Sequence, residues 1–211
     1  NAAGKREFSV INSRSRQEIS EMCAALTPTE QSRLVAAMAT IEEILGAQPE
    51  QRVPYLLRPH QPGDMGWVVH RHGVLYANEY GWNEEFEGLV AEIVAHFIQN
   101  FDPTAESCWM AEMDGQIVGS VFVVKQSAEV AKLRLLLVEP HVRGLGIGAR
   151  LVDECIRFAR QKGYKRLVLW TNSNLVGARR IYERASFVLT EAEPHHSYGH
   201  DLVGEIWELT L

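Results

Sequence analysis

The segment best suited to chemistry is a glycine-rich loop, Arg143 to Gly148, with the sequence RGLGIG. It separates a nearly apolar run, Leu133 to Val138, from an amphipathic run that begins at Ala149. A helix start exposes backbone N–H groups and a partial positive charge, and glycines let a diphosphate approach those groups closely. Arg143 adds a cation beside them. The sequence therefore predicts an anion-binding site at the start of a helix.

The spacing of the glycines limits which anion the loop binds. Gly-x-Gly-x-Gly matches neither the G-x-G-x-x-G pattern of dinucleotide folds nor the Gly-Lys-Ser/Thr ending of nucleoside triphosphatase loops. On this pattern alone, an ordinary tight turn and a site for a dinucleotide such as NAD both remain open.

The wider pattern resembles the GNAT family of N-acetyltransferases. The resemblance rests on the apolar strand, the Arg-x-x-Gly-x-Gly loop that opens a helix, and a spaced series in and just after a later helix, formed by Asn174, Ala178, Tyr182 and Phe187. It implies an α/β (α+β) fold with a mixed, mostly antiparallel central sheet flanked by helices, and acetyl-CoA as co-substrate. Members of the family usually have Gly-Phe where this chain has Ser186-Phe187, so the turn there is expected to differ slightly.

The resemblance also implies which residues bind acetyl-CoA. In the family the strand splays at a bulge and its backbone pairs with the pantetheine arm, the loop wraps the pyrophosphate, an asparagine contacts the arm, and a tyrosine lies near the sulfur. Carried onto this sequence, the cofactor-binding residues are Leu136, Leu137, Val138, Arg143, Gly144, Leu145, Gly146, Ile147, Gly148, Ala149, Asn174 and Tyr182.

Acetyl transfer needs an amine to attack the thioester and a proton to reach the departing thiolate. Tyr182 suits the second task, because a phenol is protonated at neutral pH and can donate. Simple core packing of this tyrosine is the alternative. Backbone N–H groups at the bulge would polarise the thioester carbonyl.

The general base is not fixed by spacing. Glu79 and Glu112 are the first candidates, since their segments face the acceptor side in such folds, and Glu139, His195 and His196 are further ones. Attack by an amine that is already neutral, with protons passing through water, is also open.

Two other clusters have more than one interpretation. Residues 76–83 contain Tyr76, Glu79, Tyr80, Trp82 and Asn83, which would form either a wall of an amine pocket or a hydrophobic staple with a helix cap. The histidine-rich run 195–201 invites a metal site, but it is expected to be a loop that places no ligands on one face, so no metal is predicted.

Strands and helices must position these residues. We predict a strand Gly66 to His70, a helix capped by Asn83, and a hairpin of Cys108 to Glu112 and Ile117 to Val124 through Asp114-Gly115. Further elements are the strand Leu133 to Val138, the helix Ala149 to Lys162, the strand Leu167 to Thr171, the helix Asn174 to Arg184 and the strand Glu205 to Leu211.

The chain divides into a helical extension (1–46), a proline-containing linker (47–64) and the GNAT domain (65–211). Two capped amphipathic helices start at Ser15 and at Thr27, where Glu30 completes a capping box. They resemble the C-terminal dimerisation helices of a MarR-type regulator fused to a GNAT domain, here without its winged helix-turn-helix DNA reader. A homodimer through these helices is the implied arrangement, and a plain helical cover for the domain is the alternative.

The charge and composition of the chain argue against several classes of protein. A net charge of −6 and a pI near 5.8 argue against nucleic-acid binding by this chain. No apolar run is long enough to cross a membrane and no signal peptide is visible, so a cytoplasmic location is expected. Cys23, Cys108 and Cys155 are predicted to be core residues rather than disulfide partners.

Two functions follow from these expectations. The first is an acetyl-CoA-dependent N-acetyltransferase for a primary amine of a small molecule or peptide. The second is an acetyl-CoA-sensing module of a transcriptional regulator with little catalysis, which the retained Tyr182 makes the weaker of the two.

Overall fold

The computed structural model describes residues 55–211 and a few positions between 26 and 37. The chain divides into two units, Asn1–Arg52 and Val53–Leu211. In the first, the backbone N–H of Thr27 donates to Glu30 (2.9 Å) and that of Glu30 donates to the Thr27 hydroxyl (3.3 Å), which confirms the predicted capping box. The predicted helix at Ser15, Cys23, and most of the proposed dimerisation surface lie outside the described residues.

The second unit contains a seven-stranded mixed sheet and four α-helices. Its strands are β1 (Leu56–Pro59), β2 (Ser107–Met113), β3 (Gln116–Lys125), β4 (Val130–Val138), β5 (Arg166–Asn172), β6 (Val188–Ser197) and β7 (His200–Thr210). Its helices are α1 (Asp64–Tyr80), α2 (Glu84–Asn100), α3 (Ile147–Gln161) and α4 (Val176–Arg184), and a short 3₁₀ turn covers Pro140–Val142. None of the helices in the described part of the chain is long and apolar enough to span a bilayer.

The sheet has the order β1-β2-β3-β4-β5-β7-β6. Every neighbouring pair is antiparallel except β4 and β5, which run parallel. The predicted mixed, mostly antiparallel sheet is thereby confirmed. Because only one parallel pair occurs, a single helical crossover, through α3, is needed to connect it.

Two apolar cores lie on opposite faces of the sheet. One is built around α3 and α4 with Leu151, Cys155 and Trp207, and the other around α1 and α2 with Phe86, Phe122 and Cys108. Cys108 and Cys155 are buried free thiols, as expected. The alternation of side chains along β3 explains the division, because successive residues of a strand point to opposite faces.

The structure corrects the prediction of a strand at Gly66 to His70, which belongs to helix α1. The buried residues of this helix are Asp64, Val68, His72 and Leu75, a spacing of four, four and three that is typical of a helix face. The short apolar run at 67–69 is compatible with a strand by itself, and only the spacing of the later buried residues His72 and Leu75 indicates the helix. Asn83, by contrast, caps α2 as predicted, accepting a hydrogen bond from the Glu85 amide.

The linker predicted for 47–64 contains the first strand of the sheet. Leu56 to Pro59 pair with Trp109 to Glu112 of β2, and Arg58 makes an ion pair with Asp64 at the start of α1 (2.6 Å). Pro59 is accommodated because β1 is an edge strand, where a missing N–H costs no ladder bond. The sheet therefore begins before residue 65.

The run 195–201, expected to be a loop, forms the ends of the hairpin between β6 and β7. Tyr198 and Gly199 have positive φ values of 57° and 79° and make the two-residue turn. Strand β6 gave no apolar signal because it is an edge strand and most of its residues are exposed.

Candidate active site

The centre of the site is a gap between β4 and β5. The two strands pair only from Val130 to Leu133 on β4, and beyond that point β4 has no strand partner on its β5 side. On its other side β4 carries one extra residue relative to β3, since Ser120 faces Leu137 while Phe122 faces Arg134. This is a β-bulge, and it diverts the strand away from its neighbour.

Leu135 forms the bulge. Its φ of 50° is unusual for a residue other than glycine, and its carbonyl accepts a hydrogen bond from the Ser120 hydroxyl (3.2 Å). A left-handed conformation at leucine costs on the order of 1–2 kcal/mol. The strand splay that the family resemblance implied is present, directly before Leu136.

The three glycines of the loop before α3 differ in backbone conformation and in their neighbours. Gly144 and Gly146 have φ values of 87° and 83°, a region where side chains cause strain. At Gly148, which packs against α4, a Cβ would lie 2.8 Å from the Ile181 Cδ1, so the end of that side chain would have to shift. The loop thus leaves the N–H groups at the start of α3 open for an anion.

Arg143 lies at the mouth of this loop and is held in place from two sides. Its Nε donates to the Val138 carbonyl (3.1 Å), and its two terminal nitrogens donate to the Glu79 carboxylate on α1 (2.9 and 2.7 Å). Hydrogen bonding to Glu79 raises the pKa of the guanidinium above its ordinary value. Arg143 is therefore a fixed cation beside the helix start.

A larger cavity of about 450 Å³ runs along the end of β4 and over the glycine loop. Most of the predicted cofactor-binding residues line it: Leu136, Leu137, Val138, Arg143, Gly144, Gly146, Ile147, Gly148 and Ala149. The structure does not bring the other three to this cavity. Leu145 is 53% exposed, Asn174 is exposed beyond both cavities, and Tyr182 lines the neighbouring cavity instead.

A smaller cavity of about 180 Å³ lies between α2 and the strands β4 and β5. Both cavities share the same wall residues where they meet, namely Tyr76, Leu136, Leu175 and Ala178. The meeting point lies at the splayed part of β4. Two ligands, one in each cavity, would therefore face each other at Leu136.

Tyr182 on α4 is 4% exposed and lines the smaller cavity. Its ring lies 5.9 Å from that of Phe187 and 6.5 Å from that of Trp207, so it also packs in the core. Burial raises the pKa of the phenol far above its ordinary value. No other described residue makes a hydrogen bond to its hydroxyl, which leaves this group available to a ligand.

The predicted acidic candidates are engaged with arginines. Glu79 lines the larger cavity but is paired with Arg143. The structure places Glu112 in neither cavity: it lies on β2, where its carboxylate accepts a hydrogen bond from Arg58 Nε (2.6 Å). No catalytic role follows for Glu112 from this position.

Glu139 and the two histidines also fail to reach the cavities directly. Glu139 is 6% exposed and makes two hydrogen bonds with Arg71 (2.6 and 2.8 Å). His195 donates from Nε2 to the Asn172 side-chain oxygen (2.8 Å), and Asn172 itself lines the smaller cavity. His196 is exposed and paired with Asp201. Among the described residues, no three His, Cys, Asp or Glu side chains are grouped as a metal site would require.

The aromatic cluster before α2 contributes both to a cavity wall and to a helix cap. Tyr76 and Trp82, with ring centres 5.0 Å apart, line the smaller cavity, while Asn83 caps the helix. Glu79 and Tyr80 belong to the larger cavity.

Sequence reasoning missed His72, Lys132 and Arg134, which all line the smaller cavity. His72 Nδ1 donates to the Val68 carbonyl (2.8 Å), while its buried Nε2 has no hydrogen-bond partner among the described residues. Burial lowers the pKa of this histidine to about 4, so it is neutral at pH 7. The helical spacing of Val68, His72 and Leu75 was the signal that could have placed it on α1.

The larger cavity begins at a helix start and meets the smaller, differently lined cavity, an arrangement that can hold two molecules next to each other. The comparisons with known proteins define the kind of protein. A family model described as "Acetyltransferase (GNAT) family" matches residues 74–187, more than half of the chain. The chain therefore belongs to the GNAT family of acetyltransferases.

Individual relatives agree with this assignment. Over 101 residues the chain is 35% identical to N-acetylaspartate synthetase of Danio rerio, covering 46% of this chain and 34% of that protein. Over 129 residues it is 33% identical to "Probable N-acetyltransferase camello" of Xenopus tropicalis, covering 57% of this chain and 58% of that one. The chain thus spans between about a third and three fifths of these relatives.

Solved structures show the same fold. A GNAT family acetyltransferase from Elizabethkingia anophelis, crystallised with acetyl-CoA bound, superposes with a TM-score of 0.54 at 18% sequence identity. The match covers 74% of this chain and 98% of that one.

Proposed function

We propose that this protein is an acetyl-CoA-dependent N-acetyltransferase that moves an acetyl group to a primary amine of a small molecule or peptide by direct attack. The observation that carries the proposal is the meeting of the two cavities at the splayed end of β4. The larger cavity, with its open helix start and Arg143, suits the pyrophosphate and pantetheine arm of acetyl-CoA. The acetyl-CoA bound by the Elizabethkingia relative supports the same assignment.

The acceptor amine occupies the smaller cavity in this proposal. Its nitrogen attacks the thioester carbonyl near Leu136, the carbon–sulfur bond breaks, and the amine loses a proton to water or a weak base. Such direct transfer needs both substrates in place at once, and the shared wall of the two cavities provides this. Holding the two reactants together in one geometry supplies much of the rate enhancement.

Tyr182 is the proposed acid for the departing thiolate. Its raised pKa keeps the hydroxyl protonated at neutral pH, and that hydroxyl has no competing hydrogen bond among the described residues. Tyr76 and Leu175 line the same junction.

A thiol-release assay over a panel of primary amines tests this proposal. Tyr182→Phe keeps the ring in the core and leaves no buried partner unpaired, so the fold is expected to remain stable. We expect kcat to fall by about 10²- to 10⁴-fold, the range for loss of a general acid.

The matched control is Tyr164→Phe. Tyr164 is 6% exposed and donates to the Ala105 carbonyl (2.9 Å), away from both cavities. This variant should lose a little stability and keep its kcat. An unchanged kcat in Tyr182→Phe contradicts the acid role, and acetyl-CoA binding without release of thiol for any amine supports the sensing alternative.

The MarR-type origin of residues 1–46 and the homodimer through them belong to the same proposal. The confirmed capping box at Thr27 and Glu30 supports a helix there. Light scattering of the full chain is expected to give twice the monomer mass, and a monomer at micromolar concentration contradicts the dimer.

A further inference from the structure

Two cations on β4 line the smaller cavity. Lys132 and Arg134 are separated by one residue, so their side chains point to the same face of the sheet, toward α2. Both are partly buried. None of the described residues that line this cavity is a carboxylate, and its other walls are largely apolar and include Phe86, Leu89 and Trp170.

Neither cation has a partner among the described residues. The other partly buried cations of the domain all do: Arg58 pairs with Asp64, Arg71 with Glu139, and Arg179 with Glu205. The charge of Glu92 on α2 acts on Arg134 and raises its pKa slightly against the effect of burial, but Glu92 is exposed and forms no ion pair with it.

Leaving these cations unpaired has a cost. Burial lowers the pKa of Lys132, and the charge of Arg134 lowers it further; burial also lowers the pKa of Arg134. A partly desolvated charge without a counter-ion is unfavourable, and a bound anion would remove that penalty. The two side chains therefore form a prepared anion site inside the cavity.

We propose that the acceptor is an amine that also carries a carboxylate on an apolar skeleton, as an apolar α-amino acid does. Arg134 and Lys132 bind the carboxylate, the walls from α2 and Trp170 hold the apolar side chain, and the amine faces Leu136. This inference rests on the proposed function, because it names the acceptor class of the same site.

The spacing along β4 fits such a molecule. Arg134 precedes Leu136 by two residues, which corresponds to roughly 7 Å along a strand and less across a bulge. An arginine side chain can cover this span, so its guanidinium can hold a carboxylate while the adjacent amine reaches the thioester. An amine pocket lined by carboxylates, considered above for residues 76–83, would favour a cationic acceptor; the carboxylate there, Glu79, belongs to the larger cavity.

Binding of amino acids to the protein loaded with CoA tests the proposal without any turnover. Calorimetry would compare leucine, methionine, phenylalanine and tryptophan with their α-carboxamides, which keep the amine and side chain but lose the negative charge. We expect at least one acid to bind about 10- to 100-fold more tightly than its amide, as for a charge-assisted hydrogen bond. Equal affinities, or no binding by any of the four acids, would overturn the proposal.

Variants assign the effect to the two cations. Arg134→Met should remove most of the preference for acids, Lys132→Met part of it, and Arg134→Lys should restore some. Lys125→Met, at an exposed position on β3, is the matched control and should keep the full preference. A preference that survives Arg134→Met together with Lys132→Met contradicts the assignment.

Turnover separates this inference from the proposed function. In the thiol-release assay, Arg134→Met and Lys132→Met should raise KM for the amino acid, up to about 10- to 100-fold, and leave KM for acetyl-CoA unchanged, and Lys125→Met should change neither. Acetylation of amines with no preference for acids would contradict the inference and leave the proposed function intact. Acids that bind to the site but are never acetylated, while no other amine is acetylated either, would contradict both the proposed function and the acceptor class and leave only an anion-binding site.

Discussion

At the scale of single residues, the site depends on polar groups whose state is set by burial. Tyr182 stays protonated and His72 stays neutral because neither has a charged partner in its apolar surroundings. His72 also has a fixed tautomer, since only a protonated Nδ1 can donate to the Val68 carbonyl. Its Nε2 then carries an unprotonated lone pair and belongs to the wall of the smaller cavity.

The depressed pKa of His72 predicts a specific loss of stability in acid. A histidine with a folded pKa of about 4 binds fewer protons than in the unfolded chain, where the pKa is 6.5. Neutral His72 therefore contributes fully to the free energy of unfolding above about pH 6.5, and this contribution is lost as the pH falls toward 4. Between pH 7 and pH 5 the free energy of unfolding of the wild type should fall by about 2 kcal/mol more than that of His72→Gln.

Urea unfolding at the two pH values measures this difference. His141→Gln, at an exposed histidine, is the control and should follow the wild type. If wild type and His72→Gln lose equal stability between pH 7 and pH 5, then His72 is not a neutral buried group.

Glu79 provides a second test at the residue scale. As the partner of Arg143, it places a negative charge beside the expected phosphate site. Glu79→Gln should free the guanidinium and lower KM for acetyl-CoA about two- to fivefold, as for a partly exposed ion pair, with kcat unchanged. Steady-state kinetics beside the exposed control Glu183→Gln measures this. A large fall in kcat would instead identify Glu79 as the general base.

At the scale of elements, the splay of β4 depends on its contact with β3. A Cβ at Gly119 would lie 2.8 Å from the Leu137 carbonyl oxygen, which is backbone and cannot easily move. Gly119→Ala should therefore destabilise the protein by about 1–3 kcal/mol, as overpacking does, and should raise KM for acetyl-CoA by displacing Leu137.

Gly88→Ala is the matched control for that substitution. Gly88 lies within α2, and a Cβ there has no neighbour within 4 Å. This change should stabilise the protein by about 0.5–1 kcal/mol, because alanine is the better helix former. Thermal unfolding of both variants measures the contrast, and a neutral Gly119→Ala would show that β4 adapts.

The elements also show how far sequence reasoning reaches. The glycine loop, the hairpin at Asp114-Gly115 and the cap at Asn83 were predictable, because each depends on local chemistry at adjacent positions. Strand β6 was not, since an exposed edge strand carries no apolar alternation. The cations Lys132 and Arg134 were visible as residues, but only the approach of α2 from elsewhere in the chain makes them part of a cavity.

At the scale of the whole molecule, the larger cavity joins elements from both faces of the sheet. Its lining comes from α1, the end of β4, the start of α3 and α4. A ligand that fills it should therefore stabilise the domain cooperatively. At a concentration 100 times its Kd, acetyl-CoA should increase the free energy of unfolding by about 2.7 kcal/mol and raise Tm by roughly 5–10 °C.

Tryptophan fluorescence reports this shift for the catalytic domain alone. All five tryptophans of the chain lie within residues 67–207. NAD at the same concentration is the control and should leave Tm unchanged. A shift with NAD and none with acetyl-CoA would favour a dinucleotide in the glycine loop.

The unpaired side of β4 has a consequence for strand pairing between molecules. Exposed strand edges usually attract further strands and lead to aggregation. Here the free edge lies in the interior of the sheet, between β3 and β5, with α1 and α4 beside it. The open edge therefore lines a ligand cavity between helices, unlike the outer edges of the sheet at β1 and β6. A molecule bound in that cavity, rather than a strand of another chain, is positioned to pair with it.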